Sequence, residues 1–126
     1  MERVTSHICM TRDLGNGGNL FGGTMMAWMD EAAGIYAHVY TGAPRMVTLK
    51  FTEILFRHPV RERDRVDFFA GNPRIGRTSI TFDVEGRVGE TVVFQTTGTF
   101  VAVDKKGRPK RIEREATEEN DDERSD

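Results

Sequence analysis

The 126-residue sequence holds one cysteine, Cys9, so no disulfide can close within the chain. Such sparing use fits a reducing compartment. Cys9 stands between Ile8 and Met10, the setting of a buried structural thiol rather than a nucleophile. No apolar run approaches the roughly 20 residues that cross a bilayer. The first residues alternate polar and apolar and form no signal-peptide core. The expected address is the cytoplasm. Charge of one sign is also scarce: 18 Lys and Arg against 20 Asp and Glu leave a net charge of −2, no argument for nucleic acid. Several chemistries lack their residues. There is no GK[ST] after the glycines, no HExxH, no GxSxG elbow and no Cys–His arrangement, and His7, His38 and His58 have no metal-ligand spacing. No metal and no cofactor is expected.

The even charge balance hides a split. Residues 1–112 carry 16 basic and 12 acidic side chains, a net of +4, whereas residues 113–126 carry two Arg and eight Asp or Glu, a net of −6. Residues 1–112 therefore read as one domain, mildly basic and able to attract an anionic ligand. Residues 113–126, EREATEENDDERSD, have no large apolar residue and read as a disordered, solubilising acidic tail.

What is present is concentrated between Gly15 and Tyr40. Glycines at 15, 17, 18, 22 and 23 precede a segment with apolar residues at three- and four-residue steps: Met25, Trp28, Met29, Ala32, Ile35, Tyr36 and Val39. The pattern predicts a glycine-rich loop opening into a helix from Gly22 to Tyr40, stopped by Gly42 and Pro44. A second face carries the small residues Ala33, Gly34 and Ala37 with Met26 and Asp30. A helix apolar around most of its circumference should be buried. A carboxylate on such a helix needs a structural partner or a chemical role. Glycines at a helix start also let a substrate approach free backbone amides, with the helix dipole behind them. Gly22 and Gly23 are thus candidates for an oxyanion hole. Asn19 either stabilises the loop or holds a water or carbonyl. Arg74 and Arg77, followed by Thr78 and Ser79, are either solvated turn charges or an anion site.

The remaining sequence reads as strands: 3–11 ahead of the loop, then 46–54, 64–71, 77–88 and 91–104 after the helix. Val47, Leu49 and Phe51 alternate with Thr48, Lys50 and Thr52, and Ile80, Phe82 and Val84 with Ser79, Thr81 and Asp83. NPRIG reads as a turn, Pro59 as a bend, and Gly98 as a bulge or a close backbone approach. Short connections predict an antiparallel meander of the last four strands, and one helix against one antiparallel sheet is an α+β arrangement. The small-residue helix face would need further cover, which a second subunit could supply.

GNLFGGTMMAWMDEAAG, VTLKFTEILFRHPV, GRTSITFDVEG and FVAVDKKGRP together resemble the hotdog-fold acyl-CoA thioesterases of the YciA and cytosolic acyl-CoA hydrolase group, over about residues 5–111. The resemblance implies a hotdog fold: a long central helix wrapped by an antiparallel five-stranded sheet, paired into dimers and commonly into hexamers as trimers of dimers. It implies hydrolysis of acyl-CoA to free coenzyme A and a carboxylic acid. Asp30 would be general base or nucleophile, Asn19 would orient water, and Gly22 and Gly23 would supply oxyanion amides. Arg57, Arg77, Thr78 and Ser79 would line the coenzyme A path. Two alternatives remain at this stage: a non-catalytic acyl-CoA-binding hotdog module and a hotdog hydratase. The His-dependent hydratases would need a His near the helix start, and none lies between His7 and His38. The chain departs from the group at Arg63-Asp64, often Gly-Asp, and in the extra glycine of LGNGG.

Overall fold

The computed structural model describes residues 1–113; the acidic tail, apart from Glu113, lies outside the described residues. Strand β1 (Glu2–Ile8) is followed by a short 3-10 turn (Thr11–Asp13), helix α1 (Gly22–Thr41), and strands β2 (Met46–Phe56), β3 (Arg65–Ile75), β4 (Ser79–Val88) and β5 (Thr91–Ala102). The strands form one antiparallel sheet in the order β1-β3-β4-β5-β2.

Only β3, β4 and β5 form the expected meander. β2 pairs with β5 at the far edge and is not a neighbour of β3. The helix carries the chain from β1 at one edge to β2 at the other, so the eight residues between β2 and β3 must pass β5 and β4. The segment Asn72–Ile75, expected as a turn, extends β3 instead: a bulge between Gly71 and Arg74, with Asn72 at φ 57°, absorbs the irregularity. Asn and Pro here mark a bulged edge-like kink rather than a reversal. β1 is shorter than expected, because the chain leaves the sheet after Ile8.

α1 ends as its sequence predicts. Gly42 takes the left-handed conformation at φ 74°, and its N–H donates to the His38 carbonyl at 2.8 Å. Its packing differs from the expected wheel. Met25, Met29, Ala32, Ala33, Tyr36 and Ala37 are buried, whereas Ile35 and Val39 are exposed. The small residues Ala33 and Ala37 thus face the sheet, where they permit close helix–sheet approach. They meet a floor of Phe68, Ile80, Phe82, Val84 and Phe94, all essentially inaccessible to solvent. The Tyr36 ring lies 4.9 Å from that of Phe82. β4 keeps its predicted alternation, with Ile80, Phe82 and Val84 inward.

β2 does not keep its alternation. A register shift between Thr48 and Lys50 reverses the phase of the strand, so Val47 and Leu49 are exposed (49% and 61%) while Phe51 turns inward beside Phe100. Gly98 is the close approach expected of it: a Cβ there would sit 2.6 Å from the Phe51 ring. No helix among the described residues is long and apolar enough to cross a membrane.

Candidate functional site

The glycine-rich loop is anchored at several points before the helix begins. Leu14 bridges Leu20, the Leu20 N–H donates to the Val60 carbonyl, and the Phe21 N–H donates to the Asp13 carbonyl. Cys9, at its base, is fully buried and exchanges backbone hydrogen bonds with Arg63 and Asp64. Burial first, then the Asp13, Asp64 and Glu62 carboxylates, pushes its thiol pKa up, as suits an unreactive structural thiol.

No side chain caps α1. The first amides bonded back are those of Thr24 and Met25, both to the Phe21 carbonyl. The Gly22 and Gly23 N–H groups therefore point out of the helix start. A Cβ at Gly23 would come within 2.7 Å of the Phe21 ring, so a larger residue there would displace that exposed side chain. An open pocket of about 310 Å³ lies at this helix mouth, lined by Asn19, Gly22, Met25, Phe56, Arg57 and His58 among others. It gathers three of the residues singled out from the sequence, Asn19, Gly22 and Arg57, and adds Phe56 and His58. Nothing in the local pattern marked those two, because they sit on a half-buried edge strand and just past its end. The Arg57 guanidinium is oriented by a hydrogen bond to Gln95.

Asp30 is elsewhere. It lies two turns along the helix, about 12 Å from Gly22 by helical rise. Its carboxylate is exposed rather than enclosed by apolar side chains, a correction to the buried position expected from the wheel. The face bearing Met26 (40% exposed) and Asp30 is open because the sheet covers only the opposite side. One hydrogen bond holds the carboxylate: the Thr48 hydroxyl of β2 donates to Oδ1 at 3.1 Å. Thr48 was not singled out from the sequence. Uninterrupted alternation would group it with Lys50 and Thr52, but the register shift after Thr48 ends that alternation and its hydroxyl meets the helix carboxylate.

Arg77 and Thr78, with Gly76, form the turn between β3 and β4, and Ser79 opens β4. The Arg77 carbonyl accepts from Ile112 and the Thr78 carbonyl from Ala102. That turn lies at the end of the sheet where β5 finishes and β2 starts, whereas Arg57 lies where β2 finishes. Arg74 is spent structurally: it donates to the Asn72 carbonyl at 2.7 Å and pairs with Asp83 at 3.5 Å. Among the described residues no group of three or more His, Cys, Asp or Glu is placed to hold a metal ion.

The candidate residues thus fall into two sets at opposite ends of β2. One comprises Asn19, Gly22, Gly23 and Arg57 near Phe56; the other comprises Asp30 on Thr48 with the Arg77–Ser79 turn. Within one chain they do not meet.

The sequence profile of the thioesterase superfamily matches residues 17–95. An uncharacterised acyl-CoA thioester hydrolase of Zymomonas mobilis is 36% identical over 111 residues, covering 83% of this chain and 74% of its own. The hexameric thioesterase y2039 of Yersinia pestis superposes with a TM-score of 0.85 at 29% identity, over 90% of this chain and 97% of that one. A Staphylococcus aureus acyl-CoA hydrolase, solved with butyryl coenzyme A, coenzyme A and coenzyme A disulfide, superposes with a TM-score of 0.77 at 27% identity, over 90% and 73%. It has also been solved with an Asp, an Asn or a Thr changed to Ala.

Proposed function

The chain belongs to the thioesterase superfamily and is an acyl-CoA thioesterase; we propose that it works at a site shared by two subunits. The observation that carries this reading is the division of the candidate residues along β2, together with the open edge of that strand. Thr48 and Phe56 are about 26 Å apart along the strand at ~3.3 Å per residue. Among the described residues β2 pairs only with β5, and its eleven residues include exposed Val47, Leu49, Leu55 and Phe56. A long exposed edge of this kind is a template for pairing. Two copies joined antiparallel about a two-fold axis near the middle of β2 would bring Asp30 of one subunit to the helix mouth of the other. The same operation covers the exposed helix face carrying Met26.

In that arrangement the thioester carbonyl lies against the Gly22 and Gly23 amides, which stabilise the developing oxyanion with no reorganisation at the moment of reaction. Asp30, oriented by Thr48, either removes a proton from water or attacks the carbonyl carbon. Asn19 orients the water. Coenzyme A leaves as its thiol and the acyl group as a carboxylic acid. The phosphates run towards Arg57 and the Arg77-Thr78-Ser79 turn. No metal or cofactor takes part in this scheme. The Asp and Thr altered in the S. aureus hydrolase stand 17 positions apart, close to the 18 between Asp30 and Thr48, which supports these two residues; its altered Asn stands 15 positions before its Asp, whereas Asn19 stands 11 before Asp30. The assembly proposed is a dimer that combines into a trimer of dimers, and the compartment proposed is the cytoplasm.

The test is thiol release from acyl-CoA substrates spanning short to long chains. Turnover is expected for at least part of that range. Tight binding without turnover would instead favour an acyl-CoA-binding module, and hydration of an enoyl-CoA would favour a hydratase.

A further inference from the structure

The chain has three histidines, and the fold engages two of them. The His7 Nε2–H donates to Glu31 at 2.9 Å, and its ring stacks on Trp28 with centroids 4.6 Å apart. The His38 Nδ1–H donates to the Ala43 carbonyl at 2.7 Å. The His58 imidazole is exposed and has no hydrogen bond, ion pair or ring contact among the described residues.

Its backbone, by contrast, is held. The Arg57 and His58 N–H groups both donate to the Val93 carbonyl, at 2.8 and 3.4 Å. Pro59 confines the residue before it to extended backbone. Val60 is buried, and its carbonyl accepts from Leu20, which ties this segment to the glycine-rich loop. A fixed backbone thus presents an unengaged imidazole to the pocket that also holds Asn19 and Gly22. That pocket, about 310 Å³, has the space of about ten water molecules. A thioester carbonyl on the Gly22 and Gly23 amides leaves its sulfur within a side chain's reach of His58. The charged groups around His58 are Arg57 on its own segment, Arg61 and Asp64 across the adjoining hollow, and the positive end of α1. Val88, Thr91 and Val93, which face that hollow from β4 and β5, bring no charge.

The reaction has one atom without a partner. Asp30 serves the attacking oxygen and the helix amides serve the carbonyl oxygen, but the sulfur departs with a negative charge and no donor. Thiols ionise near pH 8.5, so a proton aids an alkyl thiolate in leaving at neutral pH. Histidine is the side chain suited to hold and give that proton there.

We propose that His58 is the general acid that protonates the departing coenzyme A sulfur, a role that rests on placing the thioester carbonyl at the Gly22 and Gly23 amides. Water gives a proton to Asp30, and its oxygen bonds to the carbonyl carbon. The tetrahedral oxyanion collapses, the C–S bond breaks, and the electron pair left on sulfur takes the imidazolium proton. The proton on Asp30 returns to His58 through solvent, so acyl-CoA and water yield a carboxylic acid and the coenzyme A thiol. When Asp30 attacks instead, the same collapse delivers the same proton to sulfur, and water then opens the anhydride.

The experiment compares wild type with His58→Gln and His58→Ala on three thioesters of one acyl group, made with coenzyme A, N-acetylcysteamine and p-nitrothiophenol. The first two have alkyl thiols, only the first has phosphates, and the electron-poor thiolate of the third leaves without a proton. Both variants are expected to keep the wild-type melting temperature, since the imidazole makes no contact. Their kcat is expected to fall about 10²-fold on both alkyl thioesters and to stay within about twofold of wild type on the aryl one. Wild-type kcat on the alkyl thioesters should decline at alkaline pH as the imidazolium is lost, and His58→Gln should abolish that limb. A fall confined to acyl-CoA would make His58 a phosphate ligand and overturn the proposal. An equal fall on all three thioesters, or wild-type rates throughout, would overturn it as well. Asp30→Asn, assayed on the same set, is expected to be slow on all three. If it keeps wild-type rates while the His58 variants separate alkyl from aryl thioesters, the acid role stands and the shared-site reading falls.

Discussion

Asp30 makes one hydrogen bond, from Thr48, and no ion pair within 4 Å among the described residues. A structural carboxylate on a helix would be expected to have a cation or several donors, as Asp67 and Asp83 do in this protein. Asp83 accepts from Asn72 and Thr97, both at 3.0 Å, and is approached by Arg74; Asp67 accepts from Ser6 and Arg65. The sparse partnering of Asp30 leaves its second oxygen available for water. Asp30→Asn is expected to lower kcat by about 10²–10⁴, the range for loss of a general base, with little change in melting temperature because the side chain is exposed. A folded variant with near-wild-type thiol release would remove Asp30 from the mechanism. The loop contribution is resolved by single changes at Asn19 and Asn16, both exposed in the glycine-rich segment. Loss of kcat on Asn19→Ala alone is the expected outcome. Sequence reasoning reached Asp30 because a lone acid on the small-residue face of an apolar helix is conspicuous. It did not reach Thr48, since a threonine on an alternating strand is ordinary until the fold sets it against the helix carboxylate.

At the scale of elements, the helix and the strands were readable because their signals are local: a Gly-Pro stop after Thr41, and strict alternation in β4. What was not readable depends on distant pairing. The burial of Ala33 and Ala37 follows from how closely the helix approaches the sheet, which the wheel alone does not contain. The place of β2 beside β5 follows from the helix crossing the sheet. Gly98 records that pairing. It faces Phe51 across the β2–β5 ladder and Phe82 across β4–β5, and an added methyl would meet the Phe51 ring at 2.6 Å. Gly98→Ala is expected to destabilise the fold by about 1–3 kcal/mol through overpacking. Gly17→Ala, where nothing lies within 4 Å of an added Cβ, serves as the control. Equal melting temperatures for the two variants would show that Phe51 repacks without strain.

For the whole molecule, acid stability follows from the outer face of the sheet. Burial alone would raise the carboxyl pKa of Asp67 and of Asp83. The hydrogen bonds from Ser6 and Arg65 to the first, and from Asn72, Thr97 and Arg74 to the second, outweigh it and hold both below the usual carboxylate range. A depressed folded-state pKa contributes stability that is complete well above the unfolded pKa of about 3.9 and is lost as pH falls through that value towards the folded one. Denaturant midpoints are therefore expected to be flat from neutral pH to about 5 and to fall below about 4. Asp67→Asn should flatten that acid limb. An unchanged limb would mean that other groups govern acid unfolding.

On the proposed shared-site reading, assembly decides whether the chain can act, since one subunit separates its helix mouth from Asp30. Asp30→Asn leaves the oxyanion amides and the loop intact; Asn19→Ala leaves the carboxylate intact. Each variant alone would form dimers in which both shared sites lack one residue. When the two are co-expressed, the mixed dimer pairs the intact Asp30 of one subunit with the intact Asn19 loop of the other at one site, and both defects fall at the second. Random association makes about half of all dimers mixed, each with one whole site. The recovered rate should approach about a quarter of wild type per subunit, far above either parent. Mixed dimers as inactive as their parents, or full activity in a species that light scattering shows to be a monomer, would place the site within one chain. In that case the open edge of β2 would need another explanation.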